Sequence, residues 1–276
     1  MECINFDRHF QAYARAWMRA NAAKYRNNVD RMEARMPEVY LQWLNRPADW
    51  LGGATPGAYF APYDDADLLA RWMLDYFTKK IPVPDPLLER LVALGDAGEM
   101  ALMAMLSDEA APEEARLTVI SMLTEMESAA PLPLYIRWIA ARADHDERAE
   151  MAAEALAAMG RAVVAPVLAA VEGATEAGRE TFLDILCNFP GEDATYALAS
   201  RLFVERPERR ALMASLLGKL GDERALPLLA QAMQAPDLAY LDYIELRNAM
   251  EALGGEAPAE RDFTGDVHYE SLRRME

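Results

Sequence analysis

Residues that are typical of helix ends recur at a nearly constant spacing through the last two thirds of the chain. They are Gly95, Glu127, Gly160, Gly191, Gly221 and Gly254, and successive members lie 32, 33, 31, 30 and 33 residues apart. We call these six residues the repeat marks. A period of this length is typical of stacked helix pairs, in which each pair packs only on its neighbours. The spacing therefore predicts an all-α fold built as one open array.

An apolar stripe precedes each mark. The residues one, four, five and eight places before it are almost all apolar, as at Leu246, Ala249, Met250 and Leu253 before Gly254. This spacing is one face of a helix, and glycine directly after such a stripe is the usual left-handed helix terminator. A second apolar set follows five and seven places after the mark. Each unit is therefore predicted to be a helix, a tight turn and a second helix.

The sequence after the marks narrows the family. Proline recurs six places on, at Pro133, Pro166 and Pro227, where it falls in the opening turns of the next helix. Asp222, directly after Gly221, is suited to cap that helix. The segment 221–229, Gly-Asp-Glu-Arg-Ala-Leu-Pro-Leu-Leu, closely resembles the HEAT repeat, in particular the short bacterial form called the PBS-lyase HEAT-like repeat. The resemblance covers residues 67–254.

This resemblance implies a right-handed α-solenoid of about six HEAT-like helix pairs, whose second helices line a concave, ligand-binding surface. It divides the chain into an aromatic-rich N-terminal helical cap and loop (1–66), the repeat array (67–254) and a C-terminal tail (255–276). Polar positions on the second helices then become the candidate partner-binding residues. They are Arg116, Glu154, Asp184, Asn188, Arg210, Tyr243, Arg247 and Asn248.

A solvated helix face explains the same polar pattern, because surface helices are polar opposite the core. The group Tyr243, Arg247 and Asn248 is the best single candidate, since aromatic and arginine side chains are enriched in interaction hot spots. We expect a noncatalytic scaffold or adaptor that binds a protein or peptide along an acidic concave face.

The negative charge of the chain lies in the repeats. The net charge is −17, yet residues 1–80 hold 11 Lys+Arg against 10 Asp+Glu. An acidic surface repels polyanions, whose binding normally depends on neutralising phosphates. We therefore expect a basic protein, a peptide or a cation as partner, and the charge disfavours DNA or RNA.

The first 80 residues differ in composition, because they carry 14 of the 24 aromatic residues. Phe6, Phe10, Tyr13 and Trp17 form one helical stripe with arginines beside it. Such a helix could lie on a membrane surface. It could also cover the exposed end of the array, since solenoids need capping units. We favour the cap, because interspersed acids dilute the basic face.

The connection 46–63 is long and rich in Gly, Pro and aromatic residues. In one interpretation, its rings pin it to the neighbouring helices as a small satellite core. In the alternative, Trp50, Tyr59, Phe60 and Trp72 line a pocket between this loop and the first repeats, as in a small-molecule-binding or lyase-like protein. We favour the packed loop.

We find no reaction signature in the sequence. The three His lie far apart, no spacing matches a metal site, and no cofactor is expected. Cys187 falls in a core position and is predicted to be an inert thiol. Asp64, Asp65 and Asp67 precede an apolar run, where helix capping is the routine role of acids. With no apolar run long enough to span a membrane and no export signal, we expect a cytoplasmic protein.

Overall fold

The computed structural model describes residues 3–256 and 261–274, and within them the protein is all-helical, with sixteen α-helices and no β-strand. The chain divides into two compact units, Met1–Pro131 (unit 1) and Leu132–Glu276 (unit 2). The boundary falls inside the predicted array of residues 67–254. None of the described helices combines the length and the apolar composition that crossing a membrane requires.

The helices of unit 1 are α1 (Phe6–Asn21), α2 (Val29–Glu33), α3 (Met36–Leu44), α4 (Ala66–Thr78), α5 (Asp85–Ala93), α6 (Asp96–Ser107) and α7 (Glu113–Glu125). Those of unit 2 are α8 (Leu132–Ala140), α9 (Glu147–Ala158), α10 (Val164–Ala170), α11 (Glu176–Leu186), α12 (Asp193–Glu205), α13 (Arg210–Leu220), α14 (Leu226–Ala232), α15 (Tyr240–Ala252) and α16 (Val267–Arg273). Short 3-10 turns lie at Asp49–Leu51, Pro56–Ala58, Gly160–Val163, Val171–Gly173, Pro207–Arg209 and Glu223–Ala225.

Every repeat mark follows a helix and has a positive φ. The angle is 52° at Glu127, 73° at Gly221 and 91° at Gly191. Glycine adopts this conformation without cost because it has no Cβ, whereas a glutamate there is strained. The predicted helix terminators are therefore confirmed at five marks, including the position where Glu replaces Gly, whereas α11 ends at Leu186, five residues before Gly191. Asp222 also accepts a hydrogen bond from the backbone N–H of Arg224 at 3.0 Å, as expected of a capping residue.

Helices pair in unit 2, and each pair packs on the next. α8 packs on α9, α10 on α11, α12 on α13, and α14 on α15. The second members form a row, because α9 contacts α11, α11 contacts α13, and α13 contacts α15. The apolar stripes face the interior of this unit, where Leu156, Leu186, Leu217 and Leu246 are fully buried.

Unit 1 combines a helical part with an aromatic part. α4 packs on α5, α6 and α7, while α1 packs on α3. Pro37 lies in the first turn of α3, and this helix is separated from α2. Proline lacks the backbone N–H of a helix interior, so a break before it is expected. Asp65 caps α4 by accepting a hydrogen bond from the N–H of Leu68 at 2.9 Å, which confirms the predicted capping role for this member of the acidic trio. Asp64 instead forms an ion pair with Arg90, and Asp67 lies in the first turn of α4.

The described part of the predicted tail packs back on α15. The Phe263 side chain is 7% exposed, and its ring lies 5.3 Å from that of Tyr240 and 4.9 Å from that of Tyr243. Arg261 donates a hydrogen bond to the carbonyl of Ala235 at 2.6 Å. The tail therefore covers the last helix pair. Residues 257–260 and 275–276 of the predicted tail lie outside the described residues.

Candidate functional site

The predicted partner-binding residues do not share one environment. Arg116 lies on α7 in unit 1, and the other seven lie on or beside α9, α11, α13 and α15 in unit 2. Among those seven, Glu154, Asp184, Asn188 and Asn248 are exposed, Arg210 and Arg247 are half-buried, and Tyr243 is buried.

Two of these residues are largely withdrawn from the surface by contacts inside the protein. The side chain of Arg116 is 11% exposed, and its guanidinium group donates to Glu113 on the same helix at 2.6 Å. Tyr243 is 5% exposed because the ring of Phe263 covers it. The predicted aromatic anchor is therefore a core residue of unit 2, which corrects its assignment to the surface.

The polar row on the second helices of unit 2 is bridged by ion pairs. Arg209 donates through two guanidinium nitrogens to the two carboxylate oxygens of Glu180, with a shortest contact of 2.5 Å. Lys219 contacts the carboxylate of Asp184 at 2.6 Å. The Glu180 carboxylate raises the pKa of Arg209, chiefly through its hydrogen bond. Asp184, one of the acids expected to face a partner, is thus partly neutralised by a base of the next helix pair, and so is Glu180, one turn earlier on α11.

Most of the ion pairs that join neighbouring helix pairs link residues about one repeat apart. Besides Glu180 with Arg209 and Asp184 with Lys219, they are Glu172 with Arg201, Glu176 with Arg206, Arg161 with Glu192, and Asp193 with Arg224. The residues within these six pairs are 29 to 35 positions apart in the sequence. We call this set the inter-repeat ion pairs. Sequence reasoning missed their bases, although an acid and a base at the repeat spacing is a signal that could have found them.

An open groove of about 570 Å³ lies among these pairs in unit 2. Its polar lining comprises Arg142, Asp144, Thr175, Glu176, Glu180 and Arg209, and we call it the inter-hairpin groove. It is formed by the connection between α8 and α9, the start of α11 and the turn before α13. A groove lined by charged groups of both signs is suited to binding a charged chain segment.

Arg142 is held in place at the wall of this groove. Its guanidinium group donates to the hydroxyl of Thr181 and to the carboxylate of Glu150, both at 2.7 Å. The hydroxyl of Thr175 donates to the backbone carbonyl of Arg142, also at 2.7 Å. Asp144 is exposed beside it. Because Arg142 is fixed on several sides, the groove presents its charges in a largely preset arrangement.

The four residues of the alternative pocket come together in unit 1, but their rings pack on one another. Phe60 is fully buried and lies 4.9 Å from Tyr59 and 6.2 Å from Trp72, measured between ring centres. Trp50 packs edge-on against Phe6 at 5.3 Å. These rings fill the space that a ligand would need. The arrangement is that of a small aromatic core, and the pocket hypothesis at these residues is set aside.

The amino-terminal stripe contributes to the same core at one end. Phe6 is buried, whereas Phe10, Tyr13 and Trp17 are half-buried. The guanidinium group of Arg46 lies 5.7 Å from the ring centre of Tyr13, and Trp17 lies 5.9 Å from Tyr25. The stripe is therefore partly covered by unit 1 itself.

Groups suited to catalysis are scattered in the described residues. The Cys187 thiol is buried, and burial raises its pKa to about 12, so it is a poor nucleophile at neutral pH. His145 is exposed in the turn before α9. Within residues 3–256 and 261–274, no three His, Cys, Asp or Glu side chains are grouped as a metal site would require.

Comparison with known proteins does not assign the chain to a family. No family model matches the chain, and no curated protein matches it.

Proposed function

We propose that this protein is a noncatalytic HEAT-like repeat protein, a right-handed α-solenoid of the cytoplasm, that acts as a scaffold or adaptor. It binds a basic protein or peptide through the row formed by α9, α11, α13 and α15. The observation that carries this proposal is the inter-hairpin groove, which is open at the N-terminal end of α11, next to the turns that precede α9 and α13, and has charged side chains already held in place.

The regular packing of unit 2 supports the HEAT-like architecture. Paired helices, a contacting row of second helices and a positive φ at each mark are the features that stacked helical repeats require. The inter-repeat ion pairs add a side-chain counterpart, because equivalent regions of neighbouring pairs contact each other. A solenoid built this way exposes one face of several second helices to a single elongated partner.

Charge supports a basic partner. Residues 132–276 hold 25 Asp+Glu against 15 Lys+Arg. Several bases on the row are paired with acids, so the surplus carboxylates remain to attract cations. Asp144 at the groove and Glu154 on α9 are exposed acids of this kind. They are placed to contact Lys or Arg side chains of a bound segment.

Binding of a displayed random peptide library to the full chain tests this function. We expect selected peptides to be enriched in Lys and Arg, and their affinity to fall with added salt because exposed charge pairs are screened. Charge reversal at the groove, Asp144→Lys, is expected to weaken binding about tenfold, equivalent to about 1.4 kcal/mol.

A matched charge reversal supplies the control. Glu223 is exposed in the turn before α14, on the side of the first helices. Glu223→Lys changes the net charge by the same amount as Asp144→Lys and is expected to leave the affinity unchanged. An equal loss of peptide affinity in both variants would show that the effect comes from net charge alone. Selected peptides without enrichment in Lys and Arg would contradict the proposed partner class.

A further inference from the structure

A separate cavity of about 210 Å³ lies in unit 1, between α1, α3 and the segment that precedes α5. It is lined by four aromatic residues, Phe6, Phe10, Tyr40 and Trp43, by two acids, Asp7 and Asp85, and by residues 82–84. We call it the aromatic–acidic cavity. It includes none of the four rings of the alternative pocket expected from the sequence.

Three of the rings form a packed wall. The ring centre of Phe10 lies 4.9 Å from that of Tyr40 and 5.4 Å from that of Trp43. Trp43 and Phe6 are 5% and 3% exposed, whereas Asp85 is exposed. The cavity therefore has a buried apolar floor and a charged rim.

Tyr40 connects the wall to the rim. Its hydroxyl donates a hydrogen bond to the Asp85 carboxylate at 2.8 Å, which joins α3 to the start of α5. Burial, the bond to Asp85 and the nearby charges of Glu89 and Asp7 raise the pKa of Tyr40. The phenol of Tyr40 therefore stays protonated and remains a hydrogen-bond donor to Asp85. Asp7 is fixed as well, since Gln11 donates to it at 2.7 Å.

This combination selects for positive charge. Aromatic faces carry negative electrostatic potential and attract cations, and the two carboxylates add to that attraction. Anions are repelled by the same groups. A neutral apolar ligand would remove water from the two carboxylates without supplying a positive charge in its place.

The geometry points to an alkylated ammonium ion, and we propose that this cavity binds a methylated ammonium group. A hard metal ion would require several oxygen ligands, and the described residues offer no group of three acidic, His or Cys side chains. A methylated ammonium group is weakly hydrated and can rest against apolar rings. The volume lies below that of pockets for drug-sized ligands, about 300–1,000 Å³, so it suits a head group.

The same head group occurs in two forms, as a free small molecule such as choline and as a trimethylated lysine side chain of a protein. The inference concerns unit 1 alone and does not depend on the inter-hairpin groove. It would stand if the proposed peptide binding in unit 2 failed.

Calorimetric titration of the full chain with choline tests the proposal, with 3,3-dimethylbutan-1-ol as the neutral analogue of the same shape. We expect saturable binding of choline and binding of the alcohol at least about tenfold weaker, because the alcohol lacks the charge. Equal affinities for choline and for the neutral alcohol would overturn the proposal. Failure of both choline and the trimethyllysine peptide described below to bind would also overturn it.

Two variants address the cavity itself. Asp85→Asn removes a rim charge and Phe10→Leu removes a ring, and each is expected to weaken choline binding about threefold to tenfold. Glu109→Gln removes an exposed acid between α6 and α7 and is the matched control, expected to bind as the parent does. Thermal unfolding establishes that each variant is folded. A folded Asp85→Asn variant with the parent's affinity would place the binding elsewhere and overturn the proposal.

A peptide arm separates the two sources of the head group. One short peptide is compared with trimethylated and with unmodified lysine at its centre. Tighter binding of the trimethylated peptide than of choline supports a protein side chain as the ligand, and the reverse order supports a free small molecule. Equal binding of the methylated and unmodified peptides, with no binding of choline, contradicts recognition of a methylated ammonium group.

Discussion

The two units differ in the side-chain chemistry that holds their elements together. In unit 1, an irregular aromatic core joins α1, α3 and the loop 46–63, with Phe6 in contact with Trp43, Trp50 and Phe60. Its described ion pairs include local ones, such as Lys79 with Asp75. In unit 2, the interior is mainly aliphatic, although it includes the fully buried Tyr135 and Phe182, and the inter-repeat ion pairs cross from one helix pair to the next.

The difference shows two ways in which neighbouring elements are fixed against each other, one in a periodic region and one in an aperiodic region. A repeat offers equivalent positions in register, so short contacts can recur between neighbours. A loop of irregular sequence has no such register and is fixed here by large rings that each touch several others. The first arrangement spreads stability over many small contacts, and the second concentrates it in a few side chains.

The largest expected effect is at the centre of the aromatic core. Phe60 is fully buried, and Phe60→Ala is expected to cost about 3–5 kcal/mol of unfolding free energy. Hydrogen exchange measured by mass spectrometry should show the loss of protection in residues 6–78. Leu217→Ala, in the core of unit 2, is the counterpart, with about 2–5 kcal/mol lost there. If either variant lowered hydrogen-exchange protection equally in both units, the result would contradict the expectation that each core stabilises mainly its own unit.

A close helix approach in unit 2 gives the next effect. A Cβ on Gly178 of α11 would lie 2.4 Å from the backbone carbonyl oxygen of Ile139 on α8. Gly178→Ala is expected to destabilise by about 1–3 kcal/mol in chemical denaturation, although alanine favours helix. Gly173→Ala meets open space and is the control, with a change within about 0.5 kcal/mol. Unchanged stability of Gly178→Ala would mean that the two helices are further apart in solution.

Substitution at the repeat marks is expected to change the unfolding free energy by about 1 kcal/mol. Glu127→Gly relieves a positive φ in a non-glycine residue and is expected to raise the unfolding free energy by up to about 1 kcal/mol. Gly221→Ala introduces the same strain and should lower it by about as much. Urea denaturation of the two variants measures both signs. Changes in the same direction would refute the equivalence of the marks.

The inter-repeat ion pairs are expected to contribute less. A double-mutant cycle with Arg209→Gln and Glu180→Gln should give a coupling of about 0.2–1 kcal/mol, because Arg209 remains 46% exposed. The coupling should shrink in 1 M salt, where screening acts over about 3 Å. The same cycle on Arg35 and Glu38 in unit 1 is the comparison, and a larger value there would reverse the contrast between the units.

The smallest effect concerns pH and unit 1. The ring of His9 stacks on Trp50 at 3.9 Å, and burial, followed by the charge of Arg8, lowers its pKa from 6.5. The folded state then binds the proton less well than the unfolded state. The resulting stability is complete above pH 6.5 and is lost as the pH falls through 6.5 towards the lowered folded value.

His9→Gln removes this titration. The parent should lose more thermal stability than the variant between pH 7.5 and 5.5, measured by circular dichroism. Identical losses would show that the stacked ring does not titrate differently in the folded state.

The helices of the chain could be predicted from sequence because their signals are local. Each mark follows an apolar stripe, so the helix ends near Gly221 and even near Glu127 can be recognised from the residues that directly precede them. Tyr243 was misplaced since the residue that covers it, Phe263, comes from a different element 20 positions later. Arg209 was overlooked because its acid lies on the preceding helix pair. Partners at the repeat spacing can be sought in the sequence, whereas a partner such as Phe263 for Tyr243 depends on packing that periodicity does not specify.

The aromatic–acidic cavity was beyond sequence reasoning for the same reason. Phe10 and Tyr40 belong to different helices, and Asp85 belongs to a third element. In the sequence, each of the three has an ordinary structural explanation. Phe10 belongs to the apolar stripe of α1, Tyr40 is an inward-facing helix residue, and Asp85 is an acid at the start of a helix. Their meeting depends on how α1, α3 and the segment before α5 pack together.

The covering of Tyr240 and Tyr243 by Phe263 has a consequence for self-association. A stack of hairpins can in principle keep growing, because its last member leaves an apolar side for another hairpin to occupy. Here that side is already taken by the chain's own aromatic ring, held by Arg261. The described tail segment therefore shields an apolar side of the last helix pair of unit 2, and its displacement would expose Tyr240 and Tyr243 as a surface that a second molecule could cover.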